Sequence, residues 1–255
     1  MIQYVQLWTS RIKRFFSISW FKTLVFNLSY LPLKKAFKLP VLLYNVRLSG
    51  SGKYIFDIPT EKIKFGMIKL GINYEPACYS RQPFVINNGG CIIFHGSVLA
   101  GNSSNITIHE GGSLSLGKNC DINAFARIVC HNKIEIDDFC SIGWNVSIMD
   151  TDFHEFRTSP DECYREVSKP IHIHSNAWIC TGCTILKGSS IPEGCTLATN
   201  STLNRRIISD TYTLVAGTPA KALQTHIYRK DKEDVKSYIN WNLTSGIRVY
   251  GLKSN

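Results

Sequence analysis

A six-residue beat governs most of this chain. Ile173, Ile179, Ile185, Ile191, Leu197 and Leu203 recur every six residues without a fault. Upstream, Leu116, Ile122 and Ile128 are followed by Ile136, Ile142 and Ile148, the same spacing with two residues inserted between the sets. Ile86, Ile92 and Val98 open the series less regularly, and Ile108 and Leu114 continue it. Four places after each aliphatic residue runs a column of small ones: Cys120, Ala126, Cys140, Val146, Ala177, Cys183, Ser189, Cys195 and Ser201. A period of six is neither helical nor that of a simple alternating strand. It predicts short strands joined by tight corners, three six-residue faces making one coil of eighteen, as from Ile173 to Ile191. Stacked coils place like residues about 4.8 Å apart along a parallel ladder. The aliphatic column then fills the interior, and the small column lets each corner close.

The fold class is therefore mainly β. With 44% hydrophobic and 19% charged residues over 255 positions, disorder and collagen-like structure are excluded. The formal charge of +10 is unevenly placed. Residues 1–70 hold twelve Lys and Arg against Asp57 and Glu61, so the excess of ten lies there and the other 185 residues are neutral. A nucleic-acid enzyme carries its basic patch on its working domain, so nucleic acid is not expected as a partner. Nine scattered cysteines cannot form a complete disulfide framework, which points to a reducing cytoplasm. Four of them, Cys120, Cys140, Cys183 and Cys195, belong to the small core column. Arg11-Ile12-Lys13-Arg14 imitates the start of a signal peptide, but Lys22 and Asn27 break the apolar stretch and no small-x-small cleavage site follows. No apolar run of about 18 residues is present to span a membrane.

The ends differ from the repeats. Trp20, Phe21, Leu24, Val25 and Leu28 fall at helical spacing, and Leu31-Pro32 ends that helix. Arg11, Lys13, Arg14, Lys34, Lys35 and Lys38 lie nearby. The segment is expected either to cap the following domain or to lie on an anionic lipid surface through residues 1–40, and the two are compatible. This gives a basic helical and extended segment over 1–75, a repeat domain over 86–224 and a tail over 225–255. In the tail, Arg229 to Trp241 reads as a helix capping the open end of the prism.

Ile-Gly-x-x-Val-Ser at 142–147 and Ile-Cys-x-x-Cys-Thr at 179–184 resemble the hexapeptide repeat of the left-handed β-helix acyltransferases. The resemblance implies a left-handed parallel β-helix, a homotrimer, and acetyl coenzyme A lying in the groove between neighbouring prisms. Three features narrow it toward the sugar O-acetyltransferase branch. Between Ile148 and Ile171 the beat stops, and a loop over 149–170 leaves the prism carrying Asp150-Thr151-Asp152-Phe153-His154. This is similar to the Asp-x-Asp-x-His stretch that bears the family's catalytic histidine. A sugar hydroxyl is a poor nucleophile, so a base such as His154 must take its proton during attack, with Asp152 or Asp150 orienting the ring.

Asn176-Ala177-Trp178-Ile179-Cys180-Thr181-Gly182 resembles the family's Asn-x-Trp-Ile-Gly segment, with Cys180 where Gly is usual. The resemblance places Trp178 beside the acetyl group and the Thr181 amide as the oxyanion donor. Leu214-Val215-Ala216-Gly217-Thr218-Pro219-Ala220-Lys221 is similar to the segment that follows the last coil and packs on the coenzyme. It implies that Gly217 and Lys221 hold the donor, with Thr199 and Arg205 as positional candidates for pantetheine and phosphate. Cys180 and Cys183 make a lone C-x-x-C with no second pair, and no metal is expected. His172 and His174 alternate with Ile171 and Ile173 and point away from the interior, whereas His95, His109 and His131 sit in coils with no matching partner.

The expected function is transfer of an acetyl group from acetyl coenzyme A to a saccharide hydroxyl by a cytoplasmic enzyme, peripheral on the inner membrane face if the N-terminus binds lipid. N-acetylation of a nucleotide-linked amino sugar and a non-catalytic β-helix scaffold are the alternatives. The zinc carbonic-anhydrase branch is rejected, because it needs two His five residues apart and no such pair exists.

Overall fold

The computed structural model describes residues 12, 14–73, 80–159 and 162–227. Its strands follow one another face by face into three sheets of nine, seven and six strands, forming a three-sided parallel β-helix. The eighteen-residue step is the register itself: Ile173 pairs with Ile191, Ile179 with Leu197 and Ile185 with Leu203. The two-residue insertion upstream is equally literal, since Leu116 pairs with Ile136, Ile122 with Ile142 and Ile128 with Ile148. All of these residues are at most 1% exposed, as are Cys120, Cys140, Ala177, Cys183 and Cys195 of the small column. Burial pushes the Cys140 thiol up to about 12 and raises those of Cys120, Cys183 and Cys195. These thiols are core fillers.

The corners between the first and second faces stack Phe125, Asn145, Gly182 and Asn200, all with φ between +55° and +72°. Asn and Gly enter that left-handed region at least cost, and three of the four coils use them.

The prism begins at β1 (Val41–Leu43), well before residue 86. β1, β2 (Val46–Ser49) and β3 (Lys53–Phe56) are the first strands of the three faces, inside the segment that sequence reading assigned to an N-terminal extension. Each is an edge whose backbone groups need partners. Helix α1 (Trp20–Tyr30) covers them as expected from the sequence, but with the opposite face. It buries Thr23, Phe26 and Asn27 and leaves Phe21, Leu24, Val25 and Leu28 exposed. The Asn27 amide donates to the Val41 carbonyl (2.8 Å) and accepts the Val41 N–H (3.2 Å), while Thr23 Oγ1 accepts the Leu43 N–H (3.0 Å). Lys22 donates to the Val46 carbonyl (2.8 Å), and Lys35, in the short helix α2 (Leu33–Ala36), donates to those of Phe56 (3.3 Å) and Ile58 (2.6 Å). Phe26 fills the space beneath, against Tyr30, Tyr54 and Phe56.

At the other end, β23 (Leu214–Gly217) joins the first face and folds back as a hairpin with β24 (Ala220–Gln224). The expected helix over Arg229 to Trp241 lies outside the described residues. Among the described residues, no helix is long and apolar enough to cross a membrane.

Candidate active site

The interruption after Ile148 is an arm rooted at the corner between the second and third faces. Its base is a short antiparallel ladder, with Thr151 bridging Ser168 and the Asp152 N–H donating to the Val167 carbonyl (2.9 Å). Further out, β15 (Phe156–Ser159) and β16 (Glu162–Arg165) pair as a hairpin. The two aspartates of the motif have separate duties. Asp150 is fully buried, and its carboxylate accepts the N–H groups of His131 (2.7 Å) and Asn132 (2.8 Å) in the coil before. Burial, with that carboxylate adding to it, pushes the neighbouring Cys130 thiol up to about 12. Asp150 is therefore occupied as a turn anchor and does not face His154.

Asp152 is held by Lys187 (2.9 Å) and Arg165 (3.3 Å). Lys187 also donates to the carbonyls of Glu166 and Val167, and its side chain is only 10% exposed. One nearly buried ammonium thus clamps both legs of the arm. The pairing of Met149 with Leu186 sets Lys187 beside Asp150 in the next coil, exactly one place beyond the ladder, so the six-residue register carried the signal for this residue. His154 is exposed, and no hydrogen bond, ion pair or ring contact engages it among the described residues. The Asp152–His154 pairing expected from the motif is absent, because Lys187 and Arg165 take the carboxylate. Phe153, at φ +62°, turns its ring edge onto His109 (6.0 Å), which lies 5.4 Å from the ring of His131. These two histidines do have partners, stacked in successive coils beside the arm. His95 also has partners, Asp57 and Ser115, each at 3.0 Å.

The donor-side candidates lie elsewhere. Trp178 points outward from the first face between Ser141 and Thr196 and is 39% exposed. Beyond it, at the corner between the first and second faces, Thr181 gives its carbonyl to the Asn200 N–H (3.0 Å). The Thr181 N–H makes no hydrogen bond among the described residues, so a backbone donor is available there. Gly143, one coil earlier, has no room for a Cβ, which would meet Thr181 N at 2.8 Å, whereas Cys180 at the matching place is accommodated against the core. Thr199 stacks on Thr181 in the next coil and is exposed. Gly217 follows in the coil after, at φ +104°, its N–H donating to Ser201 Oγ (3.0 Å).

Lys221 pairs with Ala216 across the hairpin and is exposed without an ion pair among the described residues. Trp178, Thr181, Thr199, Gly217 and Lys221 therefore form one contiguous strip. His154, Asp152 and Arg205 do not join it. They stand at the far edge of the second face, where Arg205 follows β22 (Thr202–Leu203). In one chain the width of that face separates His154 from the strip.

No family model matches the sequence, and no curated protein matches it significantly. Solved structures do. A hexapeptide-repeat-containing acetyltransferase of Vibrio cholerae O1 biovar eltor, complexed with acetyl coenzyme A, is similar at 26% identity over 52% of this chain, with a TM-score of 0.37. The match spans 64% of that chain, less than two thirds of its length. The polysialic acid O-acetyltransferase OatWY is similar at 18% identity, covering 75% of this chain and 90% of its own, with a TM-score of 0.47. AntD, an N-acyltransferase from Bacillus cereus solved as a mutant with dTDP and coenzyme A, is similar at 13% identity over 83% of this chain and 97% of its own, with a TM-score of 0.38.

Proposed function

We propose that this chain transfers an acetyl group from acetyl coenzyme A to a hydroxyl of a saccharide, with His154 as general base. The observation that carries the reading is the arm: the coil is interrupted between Ile148 and Ile171 to hold out an unengaged imidazole on a root clamped by Lys187. In the reaction the acceptor O–H gives its proton to His154 as its oxygen attacks the thioester carbonyl. The C–S bond then breaks, and the proton passes to the leaving thiolate. The unbonded Thr181 N–H is the oxyanion donor, a contribution of about 3 kcal/mol when such a donor is well aimed. Trp178 lines the acetyl position, Thr199 and Gly217 meet the pantetheine, and Lys221 and Arg205 meet phosphate. Asp152 acts at one remove, fixing the arm. Because the base stands across the second face from the donor strip, a working site takes His154 from one copy and the strip from another, which fits a homotrimer.

The acceptor is placed at an anionic membrane surface, with α1 as the docking element. Its outward side chains Phe21, Leu24, Val25 and Leu28 are apolar, as are Phe16, Leu33 and Phe37 around it.

Calorimetric titration of acetyl coenzyme A tests the donor site without knowledge of the acceptor. Saturable binding is expected, weakened at least about tenfold in Lys221→Ala by loss of a phosphate contact. His154→Ala should bind the donor normally yet lose about 10²–10⁴ in turnover once an acceptor is found. Absence of binding at millimolar donor overturns the reading and leaves a scaffold role. Turnover only on nucleotide-linked amino sugars assigns N-acetylation instead.

A further inference from the structure

The third face carries a cluster that the acyl-transfer reading does not use. Asp137 follows β12 (Lys133–Ile136), and His172 and His174 lie on and just after β17 (Ile171–Ile173), the next strand of that sheet. His172 Nε2 stands 3.0 Å and His174 Nδ1 3.5 Å from the same atom, Asp137 Oδ2. The two rings are 3.8 Å apart, and the three ligand atoms lie within 4.8 Å of one another. We infer that Asp137, His172 and His174 bind a divalent cation of the zinc class.

The distances fit one ion. Ligand atoms bonded at about 2.0–2.1 Å to a tetrahedral ion lie about 3.3 Å apart, between the two values seen. Two imidazoles and one carboxylate suit zinc, cobalt or nickel, whereas magnesium and calcium prefer an all-oxygen shell. The backbones are fixed in advance: the Asp137 N–H donates to Ile173 (2.9 Å), that of His172 to Ser189 (3.1 Å) and that of His174 to Ile191 (3.0 Å). Ligands on ladder backbones keep their geometry better than ligands on loops. All three side chains are between 35% and 39% exposed, so an ion can reach them.

Three protein ligands leave a fourth coordination position to water or a small ligand, and Asp137 also borders a cavity of about 820 Å³ with His95, Ser115, Glu135 and Asp138. Glu135 and Asp138 are paired with Lys133 (2.8 Å) and Lys118 (3.5 Å), and His95 with Asp57 and Ser115, so the ligand set is these three residues. The site spans the place where the arm is inserted. One ligand precedes the arm and two follow it, so the ion ties together the coils on either side.

Titration of Co²⁺ into the metal-free full-length chain tests this. One equivalent should bind with the visible bands of a four-coordinate nitrogen–oxygen site, and Zn²⁺ should displace it. Zn²⁺ should raise the unfolding midpoint of the wild type but not of His172→Ala or His174→Ala. Asp137→Asn, which keeps the shape and the ladder bond, should weaken binding at least about tenfold. No binding at submillimolar Co²⁺ overturns the proposal, as does affinity unchanged in His172→Ala and Asp137→Asn. A thiolate-to-cobalt charge-transfer band also overturns it, since it assigns the metal to cysteine. If the histidine variants do not fold, the wild-type spectrum and Asp137→Asn decide. Acetyl coenzyme A plays no part in this assay, so its outcome is independent of the acyl-transfer reading.

Discussion

Lys69 occupies an outward position on the first face, in the same row as Leu42 and Leu99, yet it is only 6% exposed. Desolvation, with a smaller push from Arg14, lowers its ammonium from 10.5 to about 8. The unfolded chain therefore binds more protons between those two values, and stability from this residue rises with pH across that window. Below pH about 8 both states are protonated, and the cost of the buried charge is present in full, on the order of 3 kcal/mol. Lys69→Met removes the charge at similar volume and should stabilise the chain by about 2 kcal/mol near neutral pH. Denaturant melts of both proteins from neutral pH to about 10 should show that advantage shrinking as pH rises. A difference that stays constant with pH refutes the burial argument. Sequence alone could not single out Lys69, because nothing in a row of basic residues says which one an N-terminal segment will cover. The same limit applied to Asp150-Thr151-Asp152-Phe153-His154. The motif singles out this stretch, but what each aspartate does depends on residues a coil away, the amides of His131 and Asn132 for Asp150 and the ammonium of Lys187 for Asp152.

At the scale of elements, the regular coils were legible to the residue, because interior packing admits an aliphatic side chain only where the beat puts one. The first coils were not. Val41, Ile68 and Val98 stack on one face, yet their separations along the chain differ from each other and from the later coils, so no fixed spacing marks them. Helix α1 was legible in extent and misleading in orientation. An apolar stripe ordinarily faces the core, but three edge strands with unsatisfied backbone groups are better served by Thr23, Asn27 and Lys22. The stripe is left outside. Replacing Phe21, Leu24, Val25 and Leu28 together with Ser should therefore abolish binding to phosphatidylserine vesicles. Each such side chain is worth about 1.5–3 kcal/mol when buried. The unfolding midpoint should hardly move, since the four side chains are exposed. Asn27→Ala should do the reverse, lowering stability by about 1–3 kcal/mol through orphaned edge groups while sparing lipid binding. Vesicle binding that survives the fourfold replacement removes the membrane from the proposed function.

For the whole molecule, the decisive fact is where one chain ends its contribution. The strip from Trp178 to Lys221, proposed to hold the donor, borders the corner between the first and second faces, and His154 stands at the corner between the second and third. A prism stiffened by buried ladders cannot fold one edge onto the other, so in the proposed function proximity comes from a second copy. Neither residue motif nor repeat contains that information, because both are properties of a single chain. The consequence is measurable by mixing. His154→Ala and Lys221→Ala are each expected to be nearly inactive at limiting donor, for different reasons. When equal amounts are dissociated and reassembled together, about a quarter of the interfaces should unite an intact base with an intact donor strip. Activity should return to roughly that fraction of wild type, and covalently tethering each variant to itself before mixing should prevent it. Recovery fails if base and strip of the same chain form the site, and in that case the arm must reach across the second face in a conformation unlike the one its Lys187 clamp now holds.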